Sequence, residues 1–448
     1  MISKINQQQA EENEEFFDAF ETPLDLEKAS TSIFSRDSFR HPLGKSITSI
    51  SDLRDSGSLH ESVFHTIGHT VDKPKVRSFS LKRGTNKSDL PTKLRSEIIE
   101  PASFSNFHLA QEINIVGESK TEVWILKFSQ NSKHLAITGD SGIISIYDLN
   151  IDLSNKNELI NPTPSLILNH HTDKVTDISW NQDGLLLSSS LDSTVKLWRN
   201  SENPVMTFIH PCPVHSVCFH PMVPGYFATA GHDRIIRIVN ISTSQVEANY
   251  KASNDIYVIK YSPQGEFLAA GLSHGRVIFY QSPSFDLKLR FHSILKSRNH
   301  SGFKRFGKKV TGLEFMDNDV ILITTNDSRS RLFQYKTGNL LQKYKGAVNS
   351  KHPISANFSS DFNHIICGSE KGKFVIWKTM GENELKHPEK NNNFEIFQAR
   401  NEKLSEFSIF SPKRIVSIAN SKFTAKEVSE VIFTIGSHKA LKIFYYFN

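Results

Sequence analysis

The chain has 448 residues, more than one ordinary domain, and its 38% hydrophobic content is low for a chain folded along its whole length. A net charge of +6 is mild, so binding to nucleic acid would need a local basic patch, and none of the overall balance points that way. Three cysteines, Cys212, Cys218 and Cys367, exclude a disulfide framework and fit a reducing cytoplasm; no run approaches the ~18–20 apolar residues of a membrane span, and MISKINQQQAEENEE has no signal-peptide core.

Residues 1–103 read as a disordered arm. Its acidic part, residues 11–27, holds eight acids (Glu11, Glu12, Glu14, Glu15, Asp18, Glu21, Asp25 and Glu27) and no Lys or Arg, with EFFDAFE embedded at 15–21. An acidic, flexible tract is steered towards a basic partner, and salt weakens that attraction. From Leu43 to Pro101 the arm turns rich in Ser, Thr, Lys and Arg, and RSFSLKRGT at Arg77–Thr85 has the make-up of a basophilic phosphorylation stretch.

From residue 104 onward a unit of strand, turn, strand, turn, strand repeats. Its clearest copy is Val175–Trp198, VTDISWNQDGLLLSSSLDSTVKLW, where Thr176, Ile178 and Trp180 alternate with Val175, Asp177 and Ser179, and Gly184 supplies a turn. Further copies run over Trp124–Tyr147, Val214–Val239, Ile256–Tyr280, Val310–Phe333, Ile354–Trp377 and, with an insertion, Phe407–Phe444. The last core residues fall at 147, 198, 239, 280, 333, 377 and 444. Intervals of 41, 41 and, measured loosely, 44 match the ~40–45 residues of a propeller blade, and the long ones mark insertions. The fold class predicted is therefore all-β, a seven-bladed propeller over 104–448. Segments such as NPVMTFI and NLLQKYK supply fourth, outer strands. Because 444 lies so near Asn448, the outer strand of blade seven is expected from Phe107–Val116, with 104–116 closing the ring and removing two exposed sheet edges.

The units resemble WD repeats, whose buried polar network falls here on His171, Asp192 and Trp198, with Ser188 or Ser190. The Asp position is kept at Asp192, Asp233 and Asp327, and is Ser141, His274, Lys371 and His438 elsewhere; Trp377 ends blade six as Trp198 ends blade two. A His–Asp–Ser set also suits a hydrolase, but the serine lies within a strand, where the network stiffens a core.

Blade three concentrates His210, Cys212, His215, Cys218 and His220. Their spacing fits no standard zinc pattern, and simple alternation sends Val214, Ser216 and Cys218 to one face and His215 and Val217 to the other, so no metal is expected there. Between Asp286 and Lys309 one acid stands against eight bases, and Arg298, Lys304, Arg305, Lys308 and Lys309 are candidates for contact with an acidic partner or anionic lipid surface. There is no P-loop, no dinucleotide fingerprint, no nucleophile elbow and no kinase set, so neither an enzyme nor a cofactor is expected.

Beyond generic repeats, the order of LAQEI, VWILKFS, DISWNQDGLLLSSSLDSTVKLW, FHPMVPGYFATAGHDRIIRI, GKKVTGLEF, ILITTNDSRSRLF, YKGAVNS and ANFSSDFNHIICGSEKGKFVIW resembles the Rab-effector branch of WD-repeat proteins, the rabphilin-eleven-like proteins. Asn326–Arg329 and Tyr344–Ser350 are the least generic of these strings. The resemblance implies an adaptor for a Rab-class small GTPase. EFFDAFE resembles the FFAT motif, two phenylalanines in an acidic tract, recognised by VAP receptors of the endoplasmic reticulum. That resemblance implies receptor contacts by Glu15, Phe16, Phe17, Asp18, Ala19 and Glu21, with Phe16 in an apolar pocket and Ala19 in a small one; a plain acidic helix or solvated tract is the alternative. Together they imply a cytoplasmic scaffold, peripheral at endosomal or Golgi-derived and endoplasmic reticulum membranes. The rival reading is a substrate receptor for a ubiquitin ligase. Such receptors often carry W-D-x-R after a blade, whereas Trp198 is followed by Arg199 and Asn200, and Trp377 by Lys378 and Thr379.

Overall fold

The computed structural model describes residues 95–98, 107–115, 122–149, 159–282, 289–297, 308–316, 319–370, 372–379, 390–391, 394–398, 407–422, 428–436 and 440–447. Their regular structure is nearly all strand, arranged in seven sheets. Blade one comprises Val123–Phe128, His134–Gly139, Ile144–Asp148 and Leu166–Leu168; blade two Val175–Trp180, Leu186–Ser190, Thr194–Trp198 and Met206–Ile209. Blade three runs through Val214–Phe219, Tyr226–Gly231, Ile235–Asn240 and Gln245–Lys251, and blade four through Ile256–Tyr261, Phe267–Leu272, Arg276–Gln281 and Arg290–Lys296. Blade five is Val310–Met316, Val320–Thr325, Arg329–Gln334 and Asn339–Tyr344; blade six is Ala356–Phe358, His364–Ser369, Lys373–Lys378 and Phe394–Gln398.

Blade seven is built from Phe407–Phe410, Val428–Ile435 and Ala440–Phe447, with Phe107–Asn114 as its outer strand in antiparallel register, Phe107 opposite Tyr446 and Asn114 opposite Ala440. Each blade's innermost strand touches that of the next, and the strand of blade seven touches that of blade one, so the architecture is a closed seven-bladed β-propeller. Gln111 reinforces the closure: its amide donates to the Ile160 carbonyl at 2.8 Å and accepts from the Leu159 N–H at 3.0 Å, both in the loop after blade one's third strand.

The core lies between blades rather than within any one of them. Ala228, Ile236 and Ile238 of blade three pack with Ile259, Leu268 and Ala270 of blade four; Ile366 and Phe374 of blade six pack with Ile432 and Phe444 of blade seven. Each sheet is thus covered on both faces, so second strands read as unbroken buried runs such as Leu186–Ser190 and Phe267–Leu272. Small residues there admit the neighbouring blade: a Cβ on Gly271 would lie 2.6 Å from the Val310 side chain.

Two sheets gain a fifth strand. Lys390–Asn391 pairs parallel with blade five's outer strand, and Arg95–Ile98 pairs with Phe394–Gln398 of blade six, placing four residues of the span read as arm in a sheet. The insertion of blade seven contains the helix Lys413–Lys422, which follows Pro412 and buries Ile415, Val416 and Ala419 on one face. Among the described residues no helix is long and apolar enough to cross a membrane.

Candidate protein-interaction face

The innermost strands of blades one to five share one irregularity. Pairing with the second strand skips a residue at Val123/Ile125, Val175/Asp177, Val214/Ser216, Ile256/Val258 and Val310/Gly312. A bulge of this kind re-aims the extra side chain. The five re-aimed residues are Trp124, Thr176, His215, Tyr257 and Thr311, at the end of the ring that carries the blade-to-blade loops.

Three of them clasp the next blade by the same bond, donated to the carbonyl of or just before its innermost strand. Trp124 Nε1 reaches Val175 O at 3.1 Å, Thr176 Oγ1 reaches Val214 O at 2.6 Å, and Thr311 Oγ1 reaches Ile354 O at 2.7 Å. Blades three and four differ. The His215 ring stacks on Tyr257 (5.2 Å between centroids), lies 5.8 Å from His232, and Lys309 Nζ sits 5.1 Å from the Tyr257 ring centre. Burial, with His232 and Lys309 nearby, pushes His215 down to about 4, so it is a neutral imidazole near pH 7. Burial also lowers the Lys309 pKa. Exposed His232 and the Arg234–Asp255 ion pair (2.9 Å) border this spot. An aromatic face, a neutral histidine and cations meet here in a form suited to gripping a peptide rather than to breaking a bond.

The expected polar network exists in blade two. His171 Nδ1 lies 2.7 Å from Asp192 Oδ2 and its Nε2 2.7 Å from Ser188 Oγ, which also accepts the Trp198 indole N–H at 2.9 Å. Ser188 is the member; Ser190 instead donates to Asp173 O and accepts from Asp192 N. With His171 and Ser188 buried and bonded inside the core, the serine has no approach for a substrate. Burial opposes ionisation of Asp192, but hydrogen bonds from His171 and Thr194 prevail and hold its carboxyl far below the usual carboxylate range.

Blades three and five solve the same problem with another pair. Asp233 pairs with Arg237, and Asp327 pairs with the fully buried Arg331 at 2.5 Å, each arginine four residues after its acid. His210, at the repeat's histidine position, bonds Thr229 Oγ1 at 3.0 Å rather than an aspartate. The D-x-x-x-R spacing was readable in sequence and is the signal for this substitution. Trp377 uses its indole N–H on Lys345 O at 2.7 Å.

Lys345 belongs to the segment Tyr344–Ser350, which the fold brings against Asn326–Arg329. Ser328 Oγ donates to Asn349 O and accepts Asn349 N, at 3.2 and 3.0 Å. Asn349 Nδ2 then reaches Ile354 O at 2.9 Å and Thr311 Oγ1 at 3.2 Å, joining this knot to the bulge of blade five. Glu370 accepts from the Ser350 hydroxyl and from the backbone N–H groups of Ser350, Lys351 and His352. Burial works against its charge, but those donors win and hold it at about 2. The crevice lined by Ser328, Tyr344, Asn349, Cys367 and Trp377 has no room even for a water-sized occupant.

In blade three the bulge overturns the simple alternation expected: Val214, Val217 and Phe219 face blade two together, while Cys218 packs towards blade four. The cysteines and histidines scatter accordingly. Cys212 Sγ accepts from Asp233 N, and His220 Nδ1 accepts from Met222 and Val223 N. Of the basic insertion, Lys308 is exposed and Lys309 reaches the face described above, while Arg298, Lys304 and Arg305 lie outside the described residues, as do Glu15, Phe16, Phe17, Asp18, Ala19 and Glu21.

A family model described as WD domain, G-beta repeat matches residues 162–199, the blade that holds the complete His–Asp–Ser–Trp network. The chain is 29% identical to WD repeat-containing protein 44 of Xenopus laevis over 62% of its own length and 35% of that protein's. It is 27% identical to an uncharacterized WD repeat-containing protein of Schizosaccharomyces pombe over 58% of its length and 48% of the relative's, and 26% identical to WD repeat-containing protein 82 of Drosophila melanogaster over 60% and 82%. The chain thus spans about a third to a half of the first two relatives. Ring, repeat and relatives agree: this is a seven-bladed β-propeller carrying a WD repeat and similar to WD repeat-containing proteins.

Proposed function

We propose that the chain is a non-enzymatic scaffold that binds other proteins, and that it acts as a Rab-effector-like tether between endosomal or Golgi-derived membranes and the endoplasmic reticulum. The observation that supports the scaffold reading is the use made of the polar side chains. The histidine, acid and hydroxyl groups of blade two are spent on holding the blade, while half-buried His215, Tyr257 and Lys309 with exposed His232 form an aromatic and cationic patch at the bulged end of the ring. Similarity to WD repeat-containing protein 44 supports the scaffold reading, and the rabphilin-eleven-like strings support the Rab partner. The VAP link rests on Glu15–Glu21, and two weak contacts made at once on two membranes suffice for tethering, because the first raises the effective concentration of the second.

The test is a pull-down of a VAP domain by peptide 8–28, wild type beside Phe16→Ala and Ala19→Asp. Binding by wild type and loss in both variants is expected; a silent wild-type peptide removes the VAP link. Capture of Rab proteins by the full chain, loaded with a GTP analogue or with GDP, tests the other arm. Equal capture of both forms, or none, removes the effector reading and leaves the scaffold.

A further inference from the structure

At the end of the ring opposite the bulges, blades six and seven bring together three side chains that no part of the repeat pattern requires. Asp361 lies in the turn between the innermost and second strands of blade six, His364 opens that second strand, and Glu430 lies on the second strand of blade seven. One donor atom from each falls within 4.8 Å of the other two, and among the described residues this is where three such groups converge.

Glu430 is the anomaly. It is 3% exposed, and its Oε2 is buried with no hydrogen-bond donor. A carboxylate so placed is strongly disfavoured unless a positive charge or a proton meets it. The neighbouring carboxylate of Asp361 makes matters worse, since adjacent carboxylates cannot both stay ionised without a counter-charge. Asp361 itself is anchored by Ser359 Oγ at 2.6 Å and by the Asn363 N–H at 2.9 Å, which orient its carboxylate without neutralising it. Half-buried His364 adds an imidazole whose ring nitrogen converges on the two carboxylates.

We propose that Asp361, His364 and Glu430 form a binding site for a divalent cation of the zinc type, at the seam between blades six and seven. One imidazole nitrogen with two carboxylate oxygens, the fourth position left to water, suits zinc better than calcium or magnesium, which favour all-oxygen shells. Tetrahedral zinc at ~2.0–2.1 Å holds its ligand atoms roughly 3.4 Å apart, so the group must draw in from its present span. Asp361 is exposed on its turn, which provides the entry path, and its bonds to Ser359 Oγ and to Asn363 N and Nδ2 would be loosened as the cation draws it in. The bound cation would cross-link two blades contributed by distant parts of the chain.

The experiment is calorimetric titration of the EDTA-treated, dialysed full chain with zinc chloride, paired with thermal melts. The wild type is expected to take up one equivalent in a binding phase absent from Glu430→Gln and His364→Ala, and to melt higher with zinc. Histidines in residues 1–103 add weak background, which the variants share and which therefore cancels. If Glu430→Gln does not fold, Asp361→Asn, on the exposed turn, supplies the same comparison. Equal zinc uptake by wild type and variants, or a wild type that neither binds nor gains stability, overturns the proposal and leaves a carboxyl pair sharing one proton. Calcium or magnesium bound in preference to zinc overturns the zinc assignment.

Discussion

Asp177 and Ser216, on the innermost strands of blades two and three, meet at 2.5 Å, and through that contact four blades are joined. The other oxygen of Asp177 takes Lys127 Nζ of blade one at 2.6 Å, and Ser216 Oγ accepts the Ile259 N–H of blade four at 3.0 Å. Asp177→Ala removes a largely buried carboxylate and strands both neighbours. The expected loss is about 2–3 kcal/mol by urea unfolding, in line with hydrogen bonds to charged groups. Ser216→Ala costs less alone, and the double variant falls short of the sum because the pair acts as one unit. Additive losses would show that the two residues are not coupled.

Asp192 sets the acid limb of stability. Its folded pKa lies below the 3.8 of the free side chain, so its contribution is complete above the unfolded value and is lost as pH falls through 3.8 towards the folded one. Glu370, held at about 2, works in the same direction. Asp192→Asn should lower the melting temperature at pH 7 while leaving a shallower decline between pH 5 and 3. Parallel declines in variant and wild type would contradict this linkage.

Glu370 also organises the loop after blade five. Its removal in Glu370→Ala takes the acceptor from three backbone N–H groups at 350–352. Hydrogen exchange is expected to quicken there while the second strand, His364–Ser369, keeps its protection. Unchanged exchange at 350–352 would mean that the loop is held from elsewhere.

Gly346 occupies φ +119°, a region closed to most side chains, and a Cβ there would stand 2.7 Å from the Phe394 ring. Gly346→Ala is expected to cost at least about 1 kcal/mol through backbone strain alone, with the ring displaced in addition. A neutral substitution would show that the backbone can turn to a negative φ without losing the Trp377–Lys345 bond.

Deleting residues 104–116 strips the outer strand from blade seven and removes Gln111 from the loop after blade one. The edge of Ala440–Phe447 would then face solvent, and aggregation on heating is expected by light scattering. A soluble deletion variant with a single cooperative melt would show that the ring holds without that strand.

The repeat was legible because each blade restates the same alternation and turns, and seven restatements outweigh any one faulty copy. The network of blade two was legible because all its members are present. In blades three and five an Asp–Arg pair at D-x-x-x-R spacing replaces His–Asp, a signal lying outside the expected repeat pattern, and only the structure shows His210 turning to Thr229 instead. The bulges were hidden for a different reason. A strand with one extra residue keeps the same composition, so period-two reasoning misplaced Cys218 and gave no hint that Trp124, Thr176, His215, Tyr257 and Thr311 form one set. The helix Lys413–Lys422 lay inside a recognised insertion, but its apolar stripe is only Ile415, Val416 and Ala419, too brief to stand out. Glu430 and Asp361 are far apart in the chain, and no local pattern announces that they meet.

The pairing of Phe107–Asn114 with Ala440–Phe447 also dictates an order of events during synthesis. This strand, which precedes every blade in the chain, must wait, unpaired, until blade seven has been translated. Contacts spanning so much chain are slow to form, and an intermediate with an open edge persists meanwhile. Blades two, three and four, each made of consecutive strands, can form while the nascent chain still grows. The ring is therefore assembled like a bracelet whose clasp is made first and fastened last, and chaperone dependence should concentrate in that interval.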